Sequence, residues 1–386
     1  MEAQSHIQVK HSELRKMLVK MTENRETPSP IMIYGGLGIG KSQTVLAHAK
    51  SMAMSMSKKF ADWNKMTITD KVNAIDNPSD YYIFVDIRLS QKDPTDIYGI
   101  PMMVKEANFL EYLPHCWIKY FIQEKSSGLL FLDEINQATP LVTGAAFQLI
   151  HDRECGGKKL SNDVQIVAAG NREQDHANIY ELSYPLRDRF REVELMVSVE
   201  EWSSWAYAQP INPSLIAFVN WNPSYLYRMI GSKPATPRSI AAASIDINGV
   251  AKSGTKENPS ETFLYIAANL GEEWALTFNA YCEQKEKLDL KKIFANPSII
   301  KTDKYDQAQI FALIGALTET YIANKNQDMF NNCLAVLSEM HDDQLLIGIR
   351  IMNGNQKAYV TFWTGGMAKN KKVQEKIAKT VSKYIV

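Results

Sequence analysis

Apolar positions along the first half of the chain recur in two different periods. Leu14, Leu18 and Met21 fall three and four apart, which predicts a helix over residues 7–21, and Thr27-Pro28-Ser29-Pro30 then stops it. Ile31-Met32-Ile33-Tyr34 follows as a run with no polar break, the pattern of a strand buried on both faces. Similar runs at 81–87, 129–132, 165–169 and 192–195 are separated by helix-like segments such as 44–60. Buried strands alternating with helices predict a parallel α/β sheet.

Beyond about Met196 the pattern changes. Ser198 with Glu201 three residues on is a capping-box signature, and helical periodicity then dominates. Residues 248–261, rich in Gly, Ser, Lys and Asn, are expected to form an exposed loop. Helices are expected over 262–282, over 307–323 and from 371 onward. The chain therefore divides into an α/β core at 1–197, a helical segment at 198–285 and a helical C-terminal region at 286–386.

Composition narrows the function classes. A length of 386 residues suits two or three compact units. Lys plus Arg and Asp plus Glu both total 43, so no global field draws the chain to nucleic acid or an anionic membrane. Cys116, Cys155, Cys282 and Cys333 lie far apart with no Cys-x-x-Cys pair, which argues against a zinc site and a disulfide framework. Reduced thiols and a cytoplasmic location are the expectation. No apolar run approaches the roughly 18 residues of a membrane span, so a soluble protein without membrane insertion is expected.

The candidate chemistry starts at the first buried strand. Gly35-Gly36-Leu37-Gly38-Ile39-Gly40-Lys41-Ser42 fits G-x-x-x-x-G-K-[ST] between a predicted strand and a predicted helix. Its glycines let backbone N–H groups approach phosphates, Lys41 reaches the terminal phosphates, and Ser42 ligates magnesium. With Gln43, these residues form the expected cradle for ATP and Mg2+. The apolar run 129–132 ends in Asp133-Glu134: Asp133 is expected to hold the metal ion and Glu134 to polarise the attacking water. An apolar strand ending in Asp-Glu is by itself often structural; the glycine loop upstream favours the catalytic reading. The strand at 165–169 ends at Gly170-Asn171, whose amide either aligns that water or simply caps a turn.

The order of these motifs resembles the MoxR-like, dynein-related branch of the AAA+ ATPases over roughly residues 28–245. The resemblance is carried by the glycine loop, Phe131-Leu132-Asp133-Glu134-Ile135-Asn136-Gln137-Ala138, Val167-Ala168-Ala169-Gly170-Asn171-Arg172, Leu186-Arg187-Asp188-Arg189-Phe190 and Thr236-Pro237-Arg238-Ser239. It implies a parallel-sheet P-loop AAA+ core with 198–285 as its helical lid. Asn171 matches the first sensor, Arg189 the arginine finger with Arg187 as alternative or accessory, and Arg238 the second sensor. An arginine finger offers a planar, permanently charged donor to the transferring phosphoryl group. In this family it comes from the adjacent subunit, which implies a homo-oligomeric ring, commonly a hexamer. The family also implies chaperone-like remodelling of a protein client, often with a von Willebrand factor A domain partner, and an insert that can face a pore. Phe109 and Tyr112 match that insert, although such aromatics are more often core, as is the expectation for Trp117.

Other classes stay open. A nucleic-acid motor or loader is possible but disfavoured by the neutral charge and the lack of a basic-aromatic stripe. A small-molecule kinase or a nucleotide-dependent scaffold would use the same loop. The lysine-rich stretch 369–383 reads as an amphipathic helix with a basic face. His115, His151 and His176 have no ligand-like spacing.

Overall fold

A computed structural model describes residues 6–23, 29–104, 109–172, 180–229, 233–252, 259–302, 305–324, 326–353, 375–376 and 379. Two compact units divide the chain, Met1–Met196 and Val197–Val386.

The first unit contains the strands β1 (Ile7–Val9), β2 (Ile31–Gly35), β3 (Lys59–Asp62), β4 (Tyr81–Arg88), β5 (Ile100–Val104), β6 (Phe109–Leu113), β7 (Ser127–Asp133), β8 (Glu154–Cys155), β9 (Lys158–Lys159), β10 (Val164–Gly170) and β11 (Arg191–Leu195). Its helices are α1 (His11–Glu23), α2 (Lys41–Ser55), α3 (Ile68–Asp76), α4 (Pro94–Tyr98), α5 (Cys116–Phe121), α6 (Pro140–His151) and α7 (Tyr184–Arg187). Seven strands form one sheet in the order β1-β11-β2-β10-β7-β4-β3, and every pairing in it is parallel. The five buried runs read from the sequence are the five central strands of this sheet.

Burial explains the unbroken apolar runs. Ile83, Val85, Leu130, Leu132, Ile166 and Ala168 belong to one apolar core together with α5 and α6. The alternate residues face the other way, where Phe84 stacks on Phe131 at 6.3 Å and α2 covers the sheet. His48 of α2 meets Gln165 of β10 at 2.9 Å, and Gln165 also donates to the Leu18 carbonyl of α1, so buried polar groups on that face are paired. Burial holds the His48 imidazole below its ordinary range.

The edges differ from expectation. Residues 7–9 are a strand rather than the start of a helix, and α2 ends at Ser55, not at 60. Ser57 turns the chain with a positive φ of 54°, so Phe60 pairs into β3. Both edge strands are three or four residues long, too short for alternation to register. Residues 94–98 form α4, and 100–104 pairs antiparallel with 109–113 as the hairpin strands β5 and β6. Phe109 and Tyr112 are exposed on that hairpin, whereas Trp117 is buried in the core.

The second unit is helical: α8 (Val199–Tyr207), α9 (Pro213–Trp221), α10 (Pro237–Lys252), α11 (Pro259–Leu270), α12 (Glu272–Glu286), α13 (Leu290–Ala295), α14 (Ile299–Thr302), α15 (Gln307–Asn324), α16 (Gln327–Leu337) and α17 (Asp342–Asn353). Ser198 caps α8 by accepting from the Glu201 N–H, as its spacing predicts. The helix expected over 262–282 is two helices, because Gly271 takes a φ of 91° between α11 and α12. The loop expected over 248–261 is helical at 248–252 and again from Pro259; residues 253–258 lie outside the described residues. Residues from both 198–285 and 286–386 contribute to one apolar core, with α9 and α12 packed on α15. Most of the basic stretch 369–383, residues 27 and 28 of the expected helix stop, and His176 also lie outside the described residues.

The α/β core with a parallel sheet, followed by a helical region, is the fold class read from the sequence. Among the described residues no helix is long and apolar enough to cross a membrane.

Candidate functional site

Parallel strands deliver their carboxyl ends to one edge of a sheet, and here β2, β10, β7 and β4 end side by side. Chain segments far apart in sequence meet there.

β2 runs into the glycine loop, and α2 begins at its far end. Gly38 and Gly40 adopt positive φ values of 66° and 96°, which a side chain would oppose at both places. No side chain caps α2 at Gly40 among the described residues, and Ser42 and Gln43 lie in its first turn. A loop and helix start of this kind present backbone N–H groups and the positive end of the helix dipole to an anion. His11 Nε2 lies 2.9 Å from the Ile39 carbonyl and braces the loop from α1.

Lys41 reaches back over the loop. Its Nζ donates to the Gly35 and Gly36 carbonyls at 2.7 and 3.0 Å and to Asn171 Oδ1 at 3.1 Å. The lysine, the loop and the asparagine after β10 therefore belong to one hydrogen-bonded constellation. Ser42 Oγ donates to Asp133 Oδ2 at 3.0 Å, which joins the start of α2 to the end of β7.

Glu134, next in the chain, is left-handed at φ 56°, a conformation costing a non-glycine residue about 1–2 kcal/mol. Three contacts hold it: its N–H donates to Asp133 Oδ1 at 3.0 Å, its carbonyl accepts from the Gln137 N–H at 2.9 Å, and its Oε2 accepts from Ser90 Oγ at 2.5 Å. Ser90 sits in the turn after β4, the strand that pairs with β7. No local pattern singles out that serine.

Asn136 is a second residue whose role sequence reasoning missed. Its Nδ2 donates to the Asn171 carbonyl at 2.7 Å, and its Oδ1 accepts from the Asn171 N–H at 3.1 Å. This two-way clasp fixes the backbone of Asn171 and leaves its amide for Lys41. Gly170 makes room: a Cβ there would lie 2.5 Å from Asn136 Oδ1 and 2.7 Å from Met32 Cε.

The arginines separate by environment. Arg187, at the end of α7, holds Glu192 of β11 with two bonds of 2.9 and 2.7 Å, and Tyr34 of β2 donates to the same carboxylate at 3.1 Å. His6 stacks on Tyr34 with ring centroids 4.3 Å apart. Burial works to raise the Glu192 carboxyl, but Arg187 outweighs it and holds it below its usual range; burial and the Glu192 charge push the Tyr34 phenol up. Arg189, between α7 and β11, is 41% exposed, and among the described residues its ion pair is with the exposed Asp188 at 2.8 Å. In the second unit, Arg238 is exposed in the first turn of α10, which Thr236 and Ser239 cap reciprocally.

Just inside this edge, a buried carboxylate oxygen is unsatisfied among the described residues. Asp86 Oδ1 on β4 is buried with no hydrogen-bond partner, and burial together with the Asp133 charge pushes its carboxyl up to about 6. A glycine cradle, a lysine, a hydroxyl-carboxylate pair and a spare buried carboxylate oxygen form a donor set that suits a nucleotide triphosphate with a hydrated magnesium ion. His115 and His151 lie elsewhere: burial holds His115 below its ordinary range, and His151 sits 3.7 Å from its neighbour Asp152.

No protein-family model and no curated protein matches the chain. Among solved structures it is similar to domain III of the Thermotoga maritima replication initiation protein DnaA, at 15% identity over 67% of this chain and 92% of that one with a TM-score of 0.37. It is also similar to C. elegans PCH-2, at 13% identity over 69% and 68% with a TM-score of 0.34. A third is the Thermotoga maritima RuvB Holliday junction branch migration motor, at 12% identity over 94% and 89% with a TM-score of 0.32. Function is read from the site itself.

Proposed function

We propose that the chain is a Mg-dependent ATPase of the AAA+ class, MoxR-like, working as a homo-oligomeric ring that remodels protein complexes in the cytoplasm. The observation that carries this reading is the meeting of Lys41, Ser42, Asp133, Glu134 and Asn171 at one sheet edge. A chance glycine turn has no reason to meet an acidic strand end and an amide from a third strand.

When bound, ATP supplies the phosphoanhydride bond and Mg2+ the charge that offsets the negative oxygens. Residues 35–43 would bind the phosphates, and Lys41 would supply its charge to the terminal one. Ser42 and Asp133, already in contact at 3.0 Å, would hold the ion. Glu134, once released by Ser90, orients the attacking water and accepts its proton. Asn171, fixed by Asn136, aligns the same water.

Arg189 is proposed as the finger that reaches the neighbouring subunit's phosphates. Its exposure supports this over Arg187, whose guanidinium is spent on Glu192. Arg238 is proposed as the second sensor and 198–285 as the lid. The exposed hairpin residues Phe109 and Tyr112 are proposed to contact the protein client, with a von Willebrand factor A domain as partner. A nucleic-acid motor is the second reading, favoured by no residue cluster of this site.

The test measures the mass of Glu134→Gln by light scattering with and without Mg-ATP, beside wild-type phosphate release across protein concentration. An ATP-dependent ring with concentration-dependent turnover is expected. A monomer with concentration-independent turnover would replace this reading by the kinase or scaffold. Salt-sensitive DNA binding with DNA-stimulated hydrolysis would favour the motor.

A further inference from the structure

β4 carries a carboxylate that the proposed chemistry has not used. In the parallel register of β4 with β7, Asp86 lies opposite Phe131 and Arg88 opposite Asp133. Partners in register point to the same face, so Asp86 and Asp133 project to the face covered by α2, two residues apart along neighbouring strands. Ile83, Val85 and Ile87 turn to the opposite core. Asp86 is thus set back from the sheet edge where Ser42 meets Asp133.

The surroundings of Asp86 do not satisfy it. Its Oδ1 is buried without a hydrogen-bond partner, and none of the described residues forms an ion pair with it. Its backbone carbonyl does accept, from Asn64 Nδ2 at 2.6 Å, so the strand is held while the side chain is not. Asp62, on the same face one strand further out, is the contrast: it accepts from the Asn64 N–H and pairs with Lys65 at 2.8 Å. A buried carboxylate oxygen left unpaired is destabilising unless a donor reaches it. Magnesium keeps several of its waters when protein-bound, and those waters are strong donors that select carboxylates beyond the direct ligands.

We propose that Asp86 is an outer-sphere ligand of the magnesium ion, accepting a hydrogen bond from a metal-bound water and so positioning the ion against Ser42 and Asp133. This assignment rests on the Mg-ATP reading of the site. Asp86 then acts through water and touches neither phosphate nor nucleophile.

The experiment titrates Mg2+ into protein holding a fluorescent methylanthraniloyl-ATP and follows nucleotide binding, not turnover. Asp86→Asn and Asp86→Ser are compared with wild type and with Asp62→Asn, all checked for folding by circular dichroism. Expected is unchanged nucleotide affinity in EDTA but about tenfold more Mg2+ at half-saturation for both Asp86 variants, with Asp62→Asn like wild type. Half-saturation equal to wild type in a folded Asp86 variant overturns the assignment and leaves the nucleotide site standing. If wild-type binding neither responds to Mg2+ nor depends on Lys41, the nucleotide reading itself fails and the assignment with it. A weaker EDTA affinity with an unshifted Mg2+ midpoint also overturns it, because Asp86 would then shape the pocket and not the ion.

Discussion

Ser90 Oγ donates to Glu134 Oε2 at 2.5 Å, so a serine after one strand holds the carboxylate that follows the next. The proposed water-orienting group is therefore tethered by a residue 44 positions away.

Removing that tether is expected to release the carboxylate. A hydrogen bond to a charged group contributes about 1.5–3 kcal/mol, the low end applying to an exposed pair such as this, so Ser90→Ala should raise basal phosphate release roughly tenfold. Glu134→Gln should retain ATP and stop turnover. Steady-state assays check both; unchanged basal turnover in Ser90→Ala would mean the tether does not restrain the active form.

Arg187 and Arg189 should part company on stability. Arg187→Ala leaves the half-buried Glu192 beside Tyr34 without its cation and is expected to cost about 1–3 kcal/mol, lowering the unfolding midpoint. Arg189→Ala should unfold like wild type and bind ATP but lose hydrolysis, with partial rescue on mixing with Lys41→Ala. Equal destabilisation by the two variants would contradict the assignment.

Gly170→Ala should loosen the clasp between Asn136 and Asn171. The added Cβ meets Asn136 Oδ1 at 2.5 Å, and displacing it is expected to cost about 1–3 kcal/mol. Chemical denaturation measures the loss, and turnover should fall more than ATP affinity. A variant as stable and active as wild type would show that the clasp yields without consequence.

The acid dependence of stability has a definite sign at Asp86. Its folded carboxyl, raised to about 6 by burial and then by Asp133, binds its proton more tightly than the unfolded chain does near about 4. Between those values the folded state carries more protons, so the stability contribution of the protonated acid is lost as pH rises through that window. Arg88 opposes the shift, while Asp62 and Glu134 add to it. In Mg-free buffer at pH 8, Asp86→Asn should be more stable than wild type by roughly 1–2 kcal/mol after allowance for solvent screening, and by little at pH 4. Urea unfolding at the two pH values checks this; a gain at pH 4 that disappears at pH 8 would reverse the sign.

The chain by itself determined what local chemistry demands. Strands buried on both faces need unbroken apolar runs, so the five central strands stood out, and a phosphate loop needs its glycines and lysine contiguous, so 35–42 did too. The acidic pair and Asn171 were legible because each follows such a strand. Only the tertiary structure decided which strand ends are neighbours. The order β2-β10-β7-β4 brings Lys41 to Asn171, Asn136 to Asn171, Ser90 to Glu134 and Asp86 alongside Asp133. Those pairs are separated by 35 to 130 residues where a hydrogen bond joins them, and no periodicity along a chain encodes adjacency across a sheet. The same holds for Arg187: its place beside Arg189 in the matched motif made it an alternative finger, and only the packing of α7 against β11 and β2 tied its charge to Glu192.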